Sequence, residues 1–343
     1  MNLKITVDPA SKTPIYKQLI AQIEGAIRSG KLSPGAQLLS MNDLSVTTGI
    51  SKETVKKAYG KLCEKGVIGS KQGKGFYVSS DTRSSKLSVL MIFDKFSVYK
   101  QTIFNSFAST LGDRADITIL IHNQSLELLE YYLDNYLDNY DYYLITPHFA
   151  LDDQTQQRAA KLIARIPNRK LILLDRMVPG YTGNYGAVYQ DFENDVYYGL
   201  TQGLDRFKSP GTLKVITLPE SLYGPNIHKG IDRFVKEHGI KVSYLTEPPH
   251  RISRGDTFLL LSSQLDSGLT ALARQIAARK MNIGSDVRII SYNEFDLNEV
   301  VLGGLTTISS DFVQMGRLAA KMILDKKLTK VHCDFKMTRR RTF

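Results

Sequence analysis

Residues 49–78 read GISKETVKKAYGKLCEKGVIGSKQGKGFYV, and the order of signals in this stretch decides how the first part of the chain folds. Gly49 is a stop and Ser51 a helix cap, while Val55, Ala58, Tyr59 and Leu62 fall at i, i+3, i+4 and i+7, one face of a helix. The opposite face carries Lys52, Glu53, Lys56, Lys57 and Lys61. After Gly66 the period shortens: VIGS and GFYVS read as two strands joined by the basic tip KQGKG, a β-hairpin. Upstream, Ile15, Leu19, Ile23 and Ile27 mark an amphipathic helix over 14–29, begun by Pro14 and stopped near Gly30. A Pro-Gly turn follows, and Ser40 with Asp43 forms a capping box for a short helix ending near Thr48. Three helices with a tight turn before the third, then a hairpin, predict a winged helix-turn-helix whose third helix enters the major groove of DNA.

The charge distribution agrees with that reading. Of the net +11, residues 1–80 hold +7, from twelve Lys or Arg against five Asp or Glu, and the remaining 263 residues hold only +4. Clustered cations gain by releasing the counterions condensed on phosphates, so a small basic module beside a nearly neutral body points to a polyanionic partner.

At 343 residues the chain exceeds what one core usually serves, and 42% apolar with 23% charged residues is an ordinary globular balance. The stretch SSDTRSSK (79–86) has no apolar residue and reads as a linker, giving domains at 1–80 and 87–343 with 81–86 between them. From Leu87 onward, strand-like runs (LSVLMIF, ITILI, DYYLIT, KLILLD, GAVYQ, LKVITL, KVSYL, TFLLLS, VRIISY) alternate with helical patterns. That alternation predicts an α/β domain with parallel strands in two sheets, and therefore two subdomains. Ligands in such folds sit at the carboxyl ends of strands, which nominates the loops beginning at Asp94, Pro147, Asp175, Gln190, Pro219, Ser262 and Asn293.

Several classes are excluded. The longest apolar runs are strand-sized, far short of the roughly 20 residues that span a bilayer, and the first residues lack an apolar signal core, so a cytoplasmic protein is expected. Two cysteines, Cys63 and Cys333, are too few for a disulfide framework or a zinc site. The six histidines are dispersed at 122, 148, 228, 238, 250 and 332, and no nucleophile, metalloprotease or phosphate-cradling motif occurs. No catalytic residue, cofactor or metal is expected. The closing Arg339-Arg340-Arg341 continues a strand-like pattern and reads as part of the fold rather than as a nucleic-acid tail.

Four segments, TPIYKQL (13–19), SGKLSPGAQLLSMNDLS (29–45), GISKETVKKAYGKLCEKGVI (49–68) and GKGFYV (73–78), resemble in unbroken order the first domain of the GntR family of bacterial transcriptional regulators. The resemblance implies DNA contacts from Ser51, Lys52, Thr54 and Lys56 at the start of the third helix and from Gln72 and Gly73 in the wing. Lys57 on the same face and Lys71 and Lys74 in the basic hairpin tip join them. Asn42 stands where the family has an Arg that touches DNA, Leu39 where it has a Pro, and Lys52 and Lys56 where it has arginines. A lysine cannot make the planar two-pronged contact with guanine that Arg makes, so the operator sequence does not transfer.

The rest of the chain resembles the effector domain of LacI/GalR regulators, which has a periplasmic-binding-protein-like fold. The carrying segments are KLILLDR (170–176), AVYQDFENDVYYGL (187–200), GPNIHKGIDRF (224–234), SDVRIISYNEF (285–295) and LTTISSDFVQMGRLAAKMIL (305–324). A GntR head fused to this sensor is similar to arabinose-repressor-like regulators and to fucose-type ones, which ranks a monosaccharide first as effector. A sugar requires amides, carboxylates or Arg for its hydroxyls and an aromatic face for its C–H side. The candidates are Asp175, Arg176, Asp191 and Asn293, with Phe96 and Tyr99 for stacking and His148 and His228 beside them. Ile227 replaces the family's ligand-binding Arg, and Ser262 and Ser263 replace its usual Asn-Asp. Fewer ionic anchors argue against a strongly anionic effector such as a sugar phosphate, although Arg176 is retained. One head covers half of a two-fold operator, so a homodimer on palindromic double-stranded DNA is expected. The alternative is a dimeric DNA-binding protein whose second domain has lost its ligand and serves assembly or protein contacts.

Overall fold

The computed structural model describes residues 5–343 apart from 10, 12, 29, 72–74, 80–85, 138, 208–210, 218–220 and 262–266. Contacts divide the chain into a unit of 1–91, 112–120 and 125–143 and a unit of 92–111, 121–124 and 144–343. Most of the expected linker, 81–86, lies outside the described residues.

The first unit begins with α1 (Ile15–Arg28), α2 (Met41–Thr48), α3 (Lys52–Glu64) and an antiparallel hairpin of β1 (Ile68–Lys71) and β2 (Gly75–Val78). The Ser40 hydroxyl caps α2 by accepting from Asp43 N, and the Ser51 hydroxyl caps α3 by accepting from Thr54 N. Between them Gly49 turns the chain at φ 69°, a left-handed conformation that a side chain disfavours. Val55, Ala58, Tyr59 and Leu62 are all buried, packing with Leu19, Ile23, Leu44, Ile68 and Val78 into one core. The Tyr59 hydroxyl donates to Leu39 O at 2.9 Å and its ring meets Phe76 edge-on at 4.7 Å, so the hairpin is fastened to α3. The inward side of α3 is thus fixed, and its lysines are left outward.

Two six-stranded sheets follow. One has the order β13-β7-β6-β5-β3-β4, from β3 (Leu87–Phe93), β4 (Ala115–Ile121), β5 (Tyr142–Ile145), β6 (Leu171–Asp175), β7 (Gly186–Tyr189) and β13 (Lys330–His332). The other has the order β14-β12-β11-β10-β8-β9, from β8 (Thr212–Ile216), β9 (Lys241–Leu245), β10 (Thr257–Leu260), β11 (Arg288–Tyr292), β12 (Thr306–Ser310) and β14 (Phe335–Thr338). Every pairing in the second sheet is parallel except β12 with β14. The helices between strands are α4 (Val98–Leu111), α5 (Leu126–Tyr136), α6 (Asp153–Ile163), α7 (Phe192–Thr201), α8 (Gly224–His238), α9 (Ser267–Ala278) and α10 (Phe312–Leu324). The sheet centres, such as Leu171 to Asp175 and Arg288 to Tyr292, are buried throughout, as strands covered on both faces must be.

Two glycines set close helix contacts in the second unit. A Cβ on Gly316 of α10 would lie 2.2 Å from Ile103 O of α4, and one on Gly230 of α8 would lie 2.1 Å from Glu193 O of α7. The closing arginines do not continue the strand, which ends at Thr338; Arg339 pairs with Asp205 and Arg340 with Glu294 at 2.8 Å, while Arg341 is exposed.

Candidate functional sites

On the winged helix, Lys52, Lys56, Lys57 and Lys61 form an exposed strip along α3, with Asn42 of α2 and Lys71 at the end of β1 also exposed. Ser51 and Thr54 sit at the start of the strip, their hydroxyls 2.8 Å apart and committed to the cap. Two of the four lysines are already engaged. Lys57 lies over the Tyr16 ring at 4.2 Å, and Lys61 pairs with Glu64 at 2.6 Å. Lys56 has only a loose 3.9 Å approach to Glu53, and Lys52 is unpaired among the described residues, so the open cations lie at the amino end of α3. Gln72, Gly73 and Lys74 lie outside the described residues.

In the second unit, polar side chains gather at the carboxyl ends of the parallel strands. Asp175 closes β6 at φ 73° and Asn293 follows β11 at φ 75°, both in the left-handed region that non-glycine residues occupy at a cost. The Lys100 ammonium, on the first turn of α4, donates to Asp175 and lies 3.3 Å from Asp94, the residue after β3. His148 Nε2 is 2.9 Å from the same Asp175 oxygen, and Gln190, after β7, donates to the other oxygen. The Ser310 hydroxyl of β12 donates to Gln190 Oε1 at 2.6 Å, and Thr146 holds Asp94 at 3.0 Å. All seven of these residues are buried. Burial alone would raise the Asp175 carboxyl, but Lys100 and His148 hold it well below the usual carboxylate range. Burial would likewise lower Lys100, and Asp175 with Asp94 overrides it, raising the ammonium instead.

Around this charged knot stand groups that find no hydrogen-bond partner among the described residues: Arg176 Nη1, the Tyr223 and Tyr292 hydroxyls and Asn293 Oδ1. Tyr223, the residue before α8, stacks flat on Phe192 at 4.3 Å, meets His148 edge-on at 5.0 Å and lies under the Arg176 guanidinium at 5.3 Å. Burial pushes both phenols up, and the Asp175 charge adds to the rise in each. A buried polar atom without a partner is costly, and several together mark a place where something else supplies the bonds.

Of the sequence candidates, the structure brings together Asp175, Arg176 and His148. Asn293 stands at the end of β11, in the other sheet. Asp191 is half-buried and its carboxylate caps α7, accepting from Asn194 N and Nδ2. Tyr99 is buried against Phe312 at 5.1 Å, whereas Phe96 is 79% exposed. His228 tilts onto Tyr244 of β9 at 4.4 Å rather than onto the cluster, and Ile227 is in the apolar core. Lys100, Asp94, Gln190, Ser310, Tyr223 and Tyr292 were not singled out as ligand groups from sequence. Asp94 and Gln190 do begin two of the nominated loops. Among the described residues no group of His, Cys, Asp and Glu could hold a metal ion, and no helix is long and apolar enough to cross a membrane.

This is the architecture of a winged-helix head fused to a periplasmic-binding-protein-like α/β domain. Residues 15–78 match the bacterial regulatory proteins of the gntR family, and residues 220–334 match the periplasmic binding protein-like domain; the chain carries both. Over 81 residues it is 36% identical to the HTH-type transcriptional repressor YtrA of Bacillus subtilis, a match spanning 24% of this chain and 62% of that relative. The fold is similar to that of the trehalose repressor from Escherichia coli, with TM-score 0.58 and 14% identity over 74% of this chain and all of that one. It is equally similar to the Escherichia coli transcriptional repressor ascG, with TM-score 0.58 and 12% identity over 75% of this chain and 99% of that one.

Proposed function

We propose that the chain is a DNA-binding transcriptional repressor controlled by a small molecule, most simply a monosaccharide, held at the strand-end cluster around Asp175 and Arg176. The observation that carries the first half is α3: four core contacts fix one side, and the open lysines Lys52 and Lys56 stand on the other. The gntR-family match supports it. The buried atoms without a hydrogen-bond partner among the described residues, Arg176 Nη1, the Tyr223 and Tyr292 hydroxyls and Asn293 Oδ1, support a sensing role over an assembly-only one. The sugar-related name of one structural neighbour agrees, although at 14% identity it speaks for the fold alone. On this reading the protein acts in the cytoplasm as a homodimer on a palindromic operator. It has a head at 1–80, a linker at 81–86 and an effector domain at 87–343, and it is a regulator rather than an enzyme.

The test is fluorescence anisotropy with duplexes from the region upstream of its own gene and with random duplex. The proposal expects tighter binding to an upstream site, weakened steeply by salt as phosphate contacts require, and release when an effector sugar is added. Absence of salt-sensitive association with any duplex ends it.

A further inference from the structure

We propose, resting on the effector reading above, that the strand-end cluster selects an acidic monosaccharide, a uronate or an aldonate, whose carboxylate sits on Arg176.

The argument is an accounting of charge and of donors among the described residues. Both buried carboxylates are consumed inside the protein. Asp175 has one oxygen taken by Lys100 and His148 and the other by Gln190, while Asp94 is held by Lys100 and Thr146. One ammonium therefore sits between two carboxylates, and the cluster has no acceptor of full charge left to offer a sugar hydroxyl. The one group left open with a full charge is a cation. Arg176 Nη1 can only donate, the hydroxyls of Tyr223 and Tyr292 can donate or accept, and the spare amide oxygens are Asn293 Oδ1 and that of its neighbour Asn298, whose Nδ2 donates to Asn293 O. Tyr223 and Tyr292 are 8% and 5% exposed, so water is largely kept from them.

A neutral sugar offers each of its hydroxyls as donor and acceptor alike and brings no charge to the half-buried guanidinium, whose buried Nη1 has no partner among the described residues. A ligand carboxylate repairs that defect, because its two oxygens match the planar fork of Arg and accept the phenolic protons as well. Only one uncommitted cation is present, so a singly charged carboxylate suits the site better than a doubly charged phosphate. The anchor that counts is not the number of ionic residues but which of them are already paired. The flat Phe192–Tyr223 pair beneath Arg176 holds the guanidinium in place, so the fork is set before the ligand arrives.

The test is a thermal-shift and calorimetric comparison of the full chain with matched probes at equal millimolar concentration: galactose against galacturonate, glucose against glucuronate and gluconate, glucose 6-phosphate, and acetate as a bare carboxylate. At least one acidic sugar is expected to raise the unfolding midpoint, its neutral partner, the phosphate and acetate doing so less or not at all. Arg176→Gln, checked for native circular dichroism, is expected to weaken that acid by about tenfold or more, the loss of a charge-assisted contact. Tyr292→Phe serves as a second variant and weakens it by a smaller factor. A neutral sugar or a sugar phosphate that binds as well as the acid, or an acid preference that survives Arg176→Gln, overturns this assignment and leaves the sensing role standing. No response to any sugar removes both.

Discussion

Replacing Lys100 by Met separates the charge chemistry of the cluster from its packing. Met fills much of the volume of the lysine stem, so the change removes an ammonium that is 7% exposed from between carboxylates that are 3% and 6% exposed. Breaking a buried ion pair by removing one partner costs about 3–5 kcal/mol. The lower part of that range is expected, because Asp175 keeps His148 and Gln190 and Asp94 keeps Thr146. The pH dependence is the sharper reading. In the wild type Lys100 holds Asp175 below its unfolded value of about 3.9, so that stabilisation is fully present above pH ~4 and is lost only on further acidification. In the variant burial is opposed only by His148 and the remaining hydrogen bonds, so both carboxyls rise from their wild-type positions and the variant loses stability relative to the wild type as the pH climbs. Urea unfolding of both proteins from pH 4 to 7 should show a small gap at the acid end that widens to roughly 3 kcal/mol at neutrality. A constant gap, or one under about 1 kcal/mol at pH 7, would refute the claim that Lys100 is there for its charge.

Lys52→Ala should cost about 1–3 kcal/mol on the operator and much less on random duplex if Lys52 reads a base edge, measured by anisotropy at matched salt; equal losses on both would make it a phosphate contact. His122 is buried, its Nε2 donating to Thr146 O at 2.9 Å and its Nδ1 accepting from Gln124 N at 3.1 Å, so the neutral ring satisfies both bonds and a second proton has no place. Burial lowers its pKa from 6.5 to about 4, so stability is full above pH 6.5 and declines as the pH falls to 4, by about 3 kcal/mol in all. In His122→Gln that slope should vanish, and two parallel curves would count against it. Gly316→Ala places a methyl 2.2 Å from Ile103 O and 2.9 Å from Phe107 N, both backbone atoms. It should destabilise by at least about 1–3 kcal/mol in a denaturant titration, and a neutral result would mean that α4 and α10 can part freely.

What could be read in advance follows from the range of the forces involved. The spacing of Val55, Ala58, Tyr59 and Leu62 and the caps at Ser40 and Ser51 are local, and the structure places all of them as expected. The helix expected near 125–139 is Leu126–Tyr136, and the one near 193–207 ends at Thr201, because a helix end depends on where its neighbours stop burying it. Asp191 shows a true ambiguity: a carboxylate at a strand end can cap the next helix or meet a ligand with the same oxygens, and here the cap takes it. Phe96 and Tyr99 share a loop region in the sequence, yet packing separates one outward and one inward. Lys100 was illegible for the opposite reason. A lysine on a helix reads as solvent-facing, and only the fold brings it to Asp175, 75 residues away.

The same contacts bear on how a ligand at Arg176 would be felt elsewhere. Asp175 belongs to one sheet and Ser310 to the other, and Gln190 joins them, donating to the carboxylate and accepting from the hydroxyl. A ligand changes an equilibrium only through contacts that differ between two states. Here the charges within the cluster are balanced by the protein itself, so an arriving anion meets a site whose remaining deficit is concentrated on Arg176 and two phenols. On the proposed effector reading, free energy released there would favour the arrangement of the two strand ends in which the Gln190 link is intact. A coupling of about 1–3 kcal/mol, a few hydrogen bonds at most, is enough to change operator occupancy by one or two powers of ten. On that reading the regulation would rest on a small set of buried donors rather than on a large structural change.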